Sequence, residues 1–171
     1  MQLGQLGLGG GCHWCTEGVF QALIGVEYVE QGWISSETPY ESFSEAIIVH
    51  FNPQLIELEM LIEIHLQTHS SQSNHPFRSK YRSAIYYYSE SQGKKIEAIL
   101  NVQNEEVDPK YITKVLKLKD FKLNKEEYLD YYQKNKEAPF CKRYIAPKLK
   151  TLLKTHSKNL DKFKMGKIDN S

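Results

Sequence analysis

The sequence has almost no net charge: 22 lysines and arginines face 21 aspartates and glutamates, leaving +1 with histidine neutral. A chain so balanced has no overall field to draw in nucleic acid or an anionic membrane, and neither is expected as a partner. It lacks any apolar run near the ~20 residues a membrane span needs, and the stretch after Met1 lacks the basic-then-apolar pattern of a secretory leader. A cytoplasmic location is expected. Cysteine is scarce, limited to Cys12, Cys15 and Cys141. Three cysteines cannot all pair within one chain, which argues against a disulfide framework and for reactive or buried thiols. No repeat and no linker divides the 171 residues, a length suited to one domain with its own core. A single domain over residues 1–156 is expected, then a lysine-rich tail over residues 157–171 that frays unless Phe163 and Ile168 dock.

What is present is concentrated near the start. "LGLGGGCHWCTEGVF", Leu6 to Phe20, places four glycines ahead of a Cys-x-x-Cys pair at the beginning of a helical pattern. The apolar, glycine-rich stretch before it reads as a strand, and Gly25 follows the helix. Residues 26–34 and "EAIIVHF" (Glu45 to Phe51) read as strands. Pro53 opens a helix with Leu55, Leu58, Ile62 and His69 on one side. "RSAIYYY" from Arg82 reads as a strand, the segment from Ser89 as a helix, and "YITKVLKL" from Tyr111 as a strand. "NKEEYLDYYQKN" reads as helical, with Leu129 and Gln133 four apart. The irregular mixture predicts an α+β two-layer sandwich: helices packed on a mixed, mostly antiparallel sheet around a ferredoxin-like core.

The thiolate is the reactive form of cysteine, and a helix N-terminus favours it because free N–H groups and the helix dipole attract negative charge. Cys12 is placed for that. The glycines permit a sharp turn and close approach of a substrate. They do not make a dinucleotide fingerprint, because Cys12 occupies its sixth position and no acidic residue ends a second parallel strand at the required distance. Zinc is not expected either, since Cys141 and a lone histidine do not supply a second ligand pair. A thioredoxin-like dithiol, a nucleophile with a neighbouring resolving thiol, and three core cysteines all remain compatible with the pattern. Glu45 shares a strand face with Ile47, Val49 and Phe51. A carboxyl among apolar groups holds its proton toward neutral pH and can act as an acid, unless it merely starts the strand at a solvated end.

With these residues identified, the sequence resembles the A-type peptide methionine sulfoxide reductases. "GCHWC" (Gly11 to Cys15) is similar to that family's GCFWG-like motif, with Glu17 at its next acidic position. "SEAIIVHFNP" resembles the strand carrying the catalytic glutamate, "KYRSAIYY" the "QYRSAIY" strand, and "APFCKRYIAPKL" the C-terminal segment with a recycling cysteine. The resemblance implies a thiol-dependent reduction of S-methionine sulfoxide, free or in proteins, through a sulfenic acid on Cys12. It implies Glu45 as acid, Tyr81 and Tyr40 as hydroxyl donors and Trp14 as an aromatic wall. Cys141 would resolve Cys12 with Cys15 as rival or way-station, and thioredoxin or another dithiol would act as reductant in place of any cofactor or metal. A monomer is expected. His13 stands where the family has phenylalanine and would line the substrate pocket, Cys15 where it has glycine, and Pro76 where it has a supporting aspartate. The stretch from Tyr40 to Glu45 is shorter than usual, and the basic loop holding His75, Arg78 and Lys80 is expected to be solvated. The competing readings are a general thiol-disulfide oxidoreductase using Cys12 and Cys15, or a sulfoxide-binding module without turnover.

Overall fold

In the computed structural model, which describes residues 2–166, six strands form one sheet. They are β1 (Gly4–Gly9), β2 (Val26–Ser35), β3 (Ser44–Phe51), β4 (Ala84–Tyr87), β5 (Lys114–Lys117) and β6 (Asp120–Leu123), in the order β5-β4-β1-β3-β2-β6. Neighbours are antiparallel except β4 and β5. The expected α+β architecture with a mixed, mostly antiparallel sheet is therefore present. Strand alternation sorts the side chains. Leu6, Leu8, Ile47, Val49, Phe51 and Ile85 face the helices α1 (His13–Gln21), α2 (Leu58–Gln67) and α3 (Glu90–Glu105) in one large core. Ile34, Ala46, Ile48, Ala84 and Tyr86 form a second core on the other face.

That second face is closed by the sheet itself. β5 and β6 are consecutive in the chain and lie at opposite edges of the sheet, joined only by residues 118–119. Leu118 N–H donates to the Tyr87 carbonyl (2.9 Å) and Lys119 N–H to the Ser35 carbonyl (3.0 Å), so the link spans both edges. Leu116, Leu118 and Phe121 pack against the second core. A sheet curled this tightly needs small residues inside. A Cβ at Gly7 would come within 2.8 Å of Tyr86 and 2.9 Å of Ile34. The sequence pattern shows one strand from Tyr111 to Leu118; in the structure only Lys114–Lys117 of it is strand, and β6 (Asp120–Leu123) follows unannounced, because four residues are too few to display alternation.

Other differences also have local causes. α2 starts at Leu58 rather than Pro53, because Asn52 Oδ1 accepts from Gln54 N–H (3.0 Å) and holds a turn there. The helix read from Ser89 begins one residue later, with Ser89 as its cap accepting from Gln92 N–H. The 129–133 helix is interrupted at Asp130, whose φ of 54° is left-handed. Buried Glu17 accepts from the N–H groups of Asp130 (3.0 Å) and Tyr131 (3.1 Å), so tertiary bonds replace helical ones, and only α4 (Tyr131–Lys134) follows. After a π-helical turn, Cys141–Ile145, come α5 (Ala146–Thr155) and α6 (Lys162–Met165). The tail does not fray through residue 166: Leu160 and Met165 are buried in the main core, whereas Phe163 is 96% exposed and does not dock. Ile168 lies outside the described residues.

Candidate active site

The C-terminal end of β1, the start of β3 and the residues before β4 meet because β1 lies between β3 and β4 and is antiparallel to both. Cys12 emerges there from the Gly9–Gly10–Gly11 turn. A Cβ at Gly9 would sit 3.1 Å from both the Arg82 and Glu45 carbonyl oxygens, so only glycine lets the flanking strands close on the turn. Gly10 has φ 153° and packs against the His69 ring.

Cys12 is the N-cap of α1 and is partly exposed. Its sulfur makes no N-cap bond of ordinary geometry, yet its neighbours favour the thiolate. The Cys15 thiol beside it is the largest influence, the Trp14 and Cys15 N–H groups help, and together they outweigh burial to bring Cys12 down to about 7. Cys15 shows the converse: holding its proton toward Cys12, and buried, it is pushed upward. The pair thus separates into a thiolate at Cys12 and a proton-bearing thiol at Cys15. Cys141 is wholly buried in the same core, and burial pushes its thiol up. The turn carrying it packs on α1, where Gly18 leaves room: a Cβ there would meet Ile145 at 3.0 Å and Tyr132 at 3.1 Å.

Glu45 lies on the helix-facing side of β3, as its alternation with Ile47 and Val49 requires, and it is buried. Its surroundings are not purely apolar, however. His13 Nε2 is 3.0 Å from Glu45 Oε1, while His13 Nδ1 is 2.8 Å from the Gly32 carbonyl oxygen. Burial works against a charged His13, but the Glu45 carboxylate, the Gly32 carbonyl and the Cys12 sulfur overcome it and raise the imidazole. Glu45 Oε2 is buried without a hydrogen-bond partner. Trp33, directly opposite Glu45 across the β2–β3 pair, packs edge-on to His13 at 5.1 Å.

Tyr81 is drawn to this cluster by Arg78, which donates to the carbonyls of Tyr81 (3.0 Å), Gly10 (3.0 Å), Ser73 (2.9 Å) and Ser70. Arg78 is therefore a clamp on four backbone oxygens rather than a solvated charge, and it ties the Pro76 loop to the glycine turn. Lys80 is exposed and lies 5.0 Å from the Tyr81 ring centre. The Tyr81 hydroxyl, then Glu45 and Cys12, hold its ammonium above the usual range. Tyr40 is not part of this grouping: its ring lies 5.5 Å from the Arg82 guanidinium and 5.5 Å from the Lys114 ammonium. Arg82 itself reaches the Tyr86 hydroxyl (3.4 Å), on the opposite face of the sheet from Glu45. The short segment between Tyr40 and β3 turns the ring to that side.

Trp14 is half-buried, with its ring stacked on Tyr131 at 4.1 Å, near Tyr128 at 6.0 Å and edge-on to Phe140 at 5.4 Å. Tyr131 and Tyr128 thus line an aromatic wall with Trp14, held there by Glu17, whereas Tyr132 is buried in the main core with its hydroxyl donating to the Met165 carbonyl. Trp33 and Lys148 were not singled out by the sequence at all. Lys148 donates to the Thr68 carbonyl, and burial lowers its ammonium against the opposing pull of Cys15 and Cys12. The signal for the aromatic wall was the tyrosine density; for Trp33 it was its parity in β2; for Lys148 there was none. Among the described residues, no group of three or more His, Cys, Asp or Glu could hold a metal ion, and no helix is long and apolar enough to cross a membrane.

Residues 4–161 match the sequence model of the family described as peptide methionine sulfoxide reductase. The peptide methionine sulfoxide reductase MsrA of Sulfolobus acidocaldarius is 32% identical over 161 residues, covering 86% of this chain and 92% of that one. In structure, reduced Mxr1 from Saccharomyces cerevisiae matches with a TM-score of 0.72 at 21% identity, covering 82% of this chain and 90% of that one. Mxr1 in complex with Trx2 matches with a TM-score of 0.60 at 20% identity, covering 76% and 85%. These structural likenesses bear on the fold, and the sequence matches bear on descent. On the sequence matches, the chain belongs to the peptide methionine sulfoxide reductases, a family of oxidoreductase enzymes.

Proposed function

We propose that Cys12 reduces the sulfoxide of S-methionine sulfoxide, free or in exposed protein segments, with Glu45 as the acid and Tyr81 as a hydroxyl donor to the sulfoxide oxygen. A sulfoxide oxygen is a poor leaving group until it is protonated or strongly hydrogen-bonded, so an acid and a thiolate must act together. The Cys12 sulfur gives up two electrons, the sulfoxide sulfur gains them, and the oxygen leaves with a proton as the sulfenic acid on Cys12. Trp14 and the tyrosines beside it form the apolar wall for the substrate methyl group.

Cys15 then attacks the sulfenic acid, forming the Cys12–Cys15 disulfide and releasing water. Its proton-sharing contact with Cys12 supports this order, as does the position of both thiols at a helix start, where the bridge is sterically accessible. Exchange with Cys141 passes the disulfide on, and an external dithiol, thioredoxin in this reading, returns all three thiols to the reduced state. The complex of the yeast relative with Trx2 supports that choice of reductant.

The observation that carries the proposal is the thiolate-favouring Cys12 sharing one site with buried Glu45, whose Oε2 is unpartnered. The test is turnover of the S and R epimers of methionine sulfoxide with dithiothreitol. Reduction of the S epimer alone, lost in Cys12→Ser and in Glu45→Gln, is the expected result. The Cys12–Cys15 contact also favours a general disulfide reductase; disulfide turnover that survives Glu45→Gln, with no sulfoxide consumed, would establish that reading instead.

A further inference from the structure

His13 occupies a position the sulfoxide chemistry above leaves unused, yet its two ring nitrogens are both committed. A carbonyl oxygen can only accept, so the 2.8 Å contact with Gly32 fixes a proton on Nδ1. That leaves Nε2, 3.0 Å from Glu45 Oε1, as the nitrogen that decides how the carboxyl is oriented. His13 and Glu45 are 4% and 7% exposed, so solvent cannot do this job. The second carboxyl oxygen, Oε2, is buried and unpartnered.

Resting on the proposed reduction, we propose that His13 is the positioning residue of the acid. As imidazolium it donates from Nε2 to Glu45 Oε1, confines the carboxyl proton to Oε2, and compensates the negative charge left when that proton passes to the sulfoxide oxygen. The step balances: Cys12 thiolate, sulfoxide and protonated Glu45 become Cys12 sulfenic acid, thioether and Glu45 carboxylate. One sulfur–oxygen bond breaks, one forms on Cys12, and two electrons move from Cys12 to the substrate sulfur. His13 keeps both of its protons and touches no reacting atom.

The charged and titratable groups facing the pair are Cys12 from the turn before α1, and Lys80 and Tyr81 from the segment before β4. β2 contributes the Gly32 carbonyl and the Trp33 ring. Lys80 and Cys12 carry opposite charges, so neither replaces a cation bonded directly to Oε1. His13 itself is held protonated above its ordinary range by Glu45, the Gly32 carbonyl and Cys12, against the cost of burial, so the support it gives is lost at alkaline pH as the imidazolium loses its proton.

The experiment is a single-turnover pH profile of methionine formation from the S-sulfoxide, comparing the unaltered chain with His13→Phe and His13→Gln. In His13→Phe the plateau rate falls by roughly 10- to 100-fold, a fraction of what general acid catalysis supplies, and the alkaline limb that follows loss of the imidazolium proton is removed. In His13→Gln, whose amide can still donate to Oε1, part of the plateau rate returns. A proportional loss at every pH, with the limb unmoved, would leave His13 a mere packing residue and overturn the proposal. Nitrogen-15 NMR of histidine in the unaltered chain supplies a readout that does not depend on a variant folding. Both His13 nitrogens are expected to carry protons near neutral pH; an unprotonated Nε2 there overturns the proposal. Absence of turnover in the unaltered chain overturns the proposed function, whereas turnover with a proportional loss overturns the His13 role alone.

Discussion

Cys12 and Cys141 are the same side chain in opposite surroundings. Cys12 sits at a helix start, partly open, beside a proton-bearing thiol and backbone N–H groups, and titrates at about 7. Cys141 is closed into the core at the head of a π-helical turn, and burial favours its neutral thiol. One thiol is prepared for attack where it stands. For the exchange proposed above, the other must be uncovered before an external dithiol can reach it, and the π-helical turn that carries it is where that opening would occur. Cys15 belongs to both settings: it bonds to Cys12 at the surface of the core and lies within electrostatic reach of Cys141.

The comparison breaks most visibly if the two thiols are exchanged in role. Cys12→Ser is expected to lower turnover by at least about 10³-fold with any reductant, as loss of a nucleophile does. Cys141→Ser is expected to keep turnover with dithiothreitol and lose it with thioredoxin; methionine formation with each reductant checks both. Next in size is access. Alkylation of Cys141 in the folded protein is expected to run on the order of 10²-fold slower than that of Cys12, because it requires local opening. Peptide mapping after timed exposure to iodoacetamide measures the ratio, and equal rates would remove the distinction.

A smaller effect tests the cause of the Cys12 reactivity. Its alkylation rate rises with pH through about 7, because the thiolate is the reacting form. Cys15→Ala removes the largest influence favouring that thiolate, so the midpoint is expected to move upward by roughly one pH unit, with about a tenfold slower reaction at pH 6. A midpoint that stays in place would assign the effect to the helix N–H groups instead. The smallest effect is on Tyr40: Tyr40→Phe is expected to change turnover by less than about twofold, while Tyr81→Phe lowers it about tenfold, the scale of one lost hydrogen bond. Steady-state rates of the two variants decide whether the ring turned toward Arg82 and Lys114 has any part in the chemistry.

How much of this could be read from the chain follows the range of the interactions. The helix start at Cys12, the Cys12–Cys15 spacing, the helix from Ser89 and the inward parity of Glu45 depend on residues a few positions apart, and the sequence carries them openly. The break at Asp130 was hidden, because Glu17 imposes it from 113 residues away. So was the face chosen by Tyr40, since a five-residue step into β3 can place a ring on either side of the sheet. Arg78 read as a solvated charge for the same reason: the carbonyls it clamps come from three separate parts of the chain.

By itself, the sequence determined which thiol would stand at a helix start and which carboxyl would share a strand face with the apolar core residues, because these are consequences of period and local dipoles. Only the tertiary structure decided that β5 and β6 would close the sheet from opposite edges, that Trp14 would stack on Tyr131, and that His13 would meet Glu45. Those are contacts between distant segments, fixed by how layers pack rather than by any local preference.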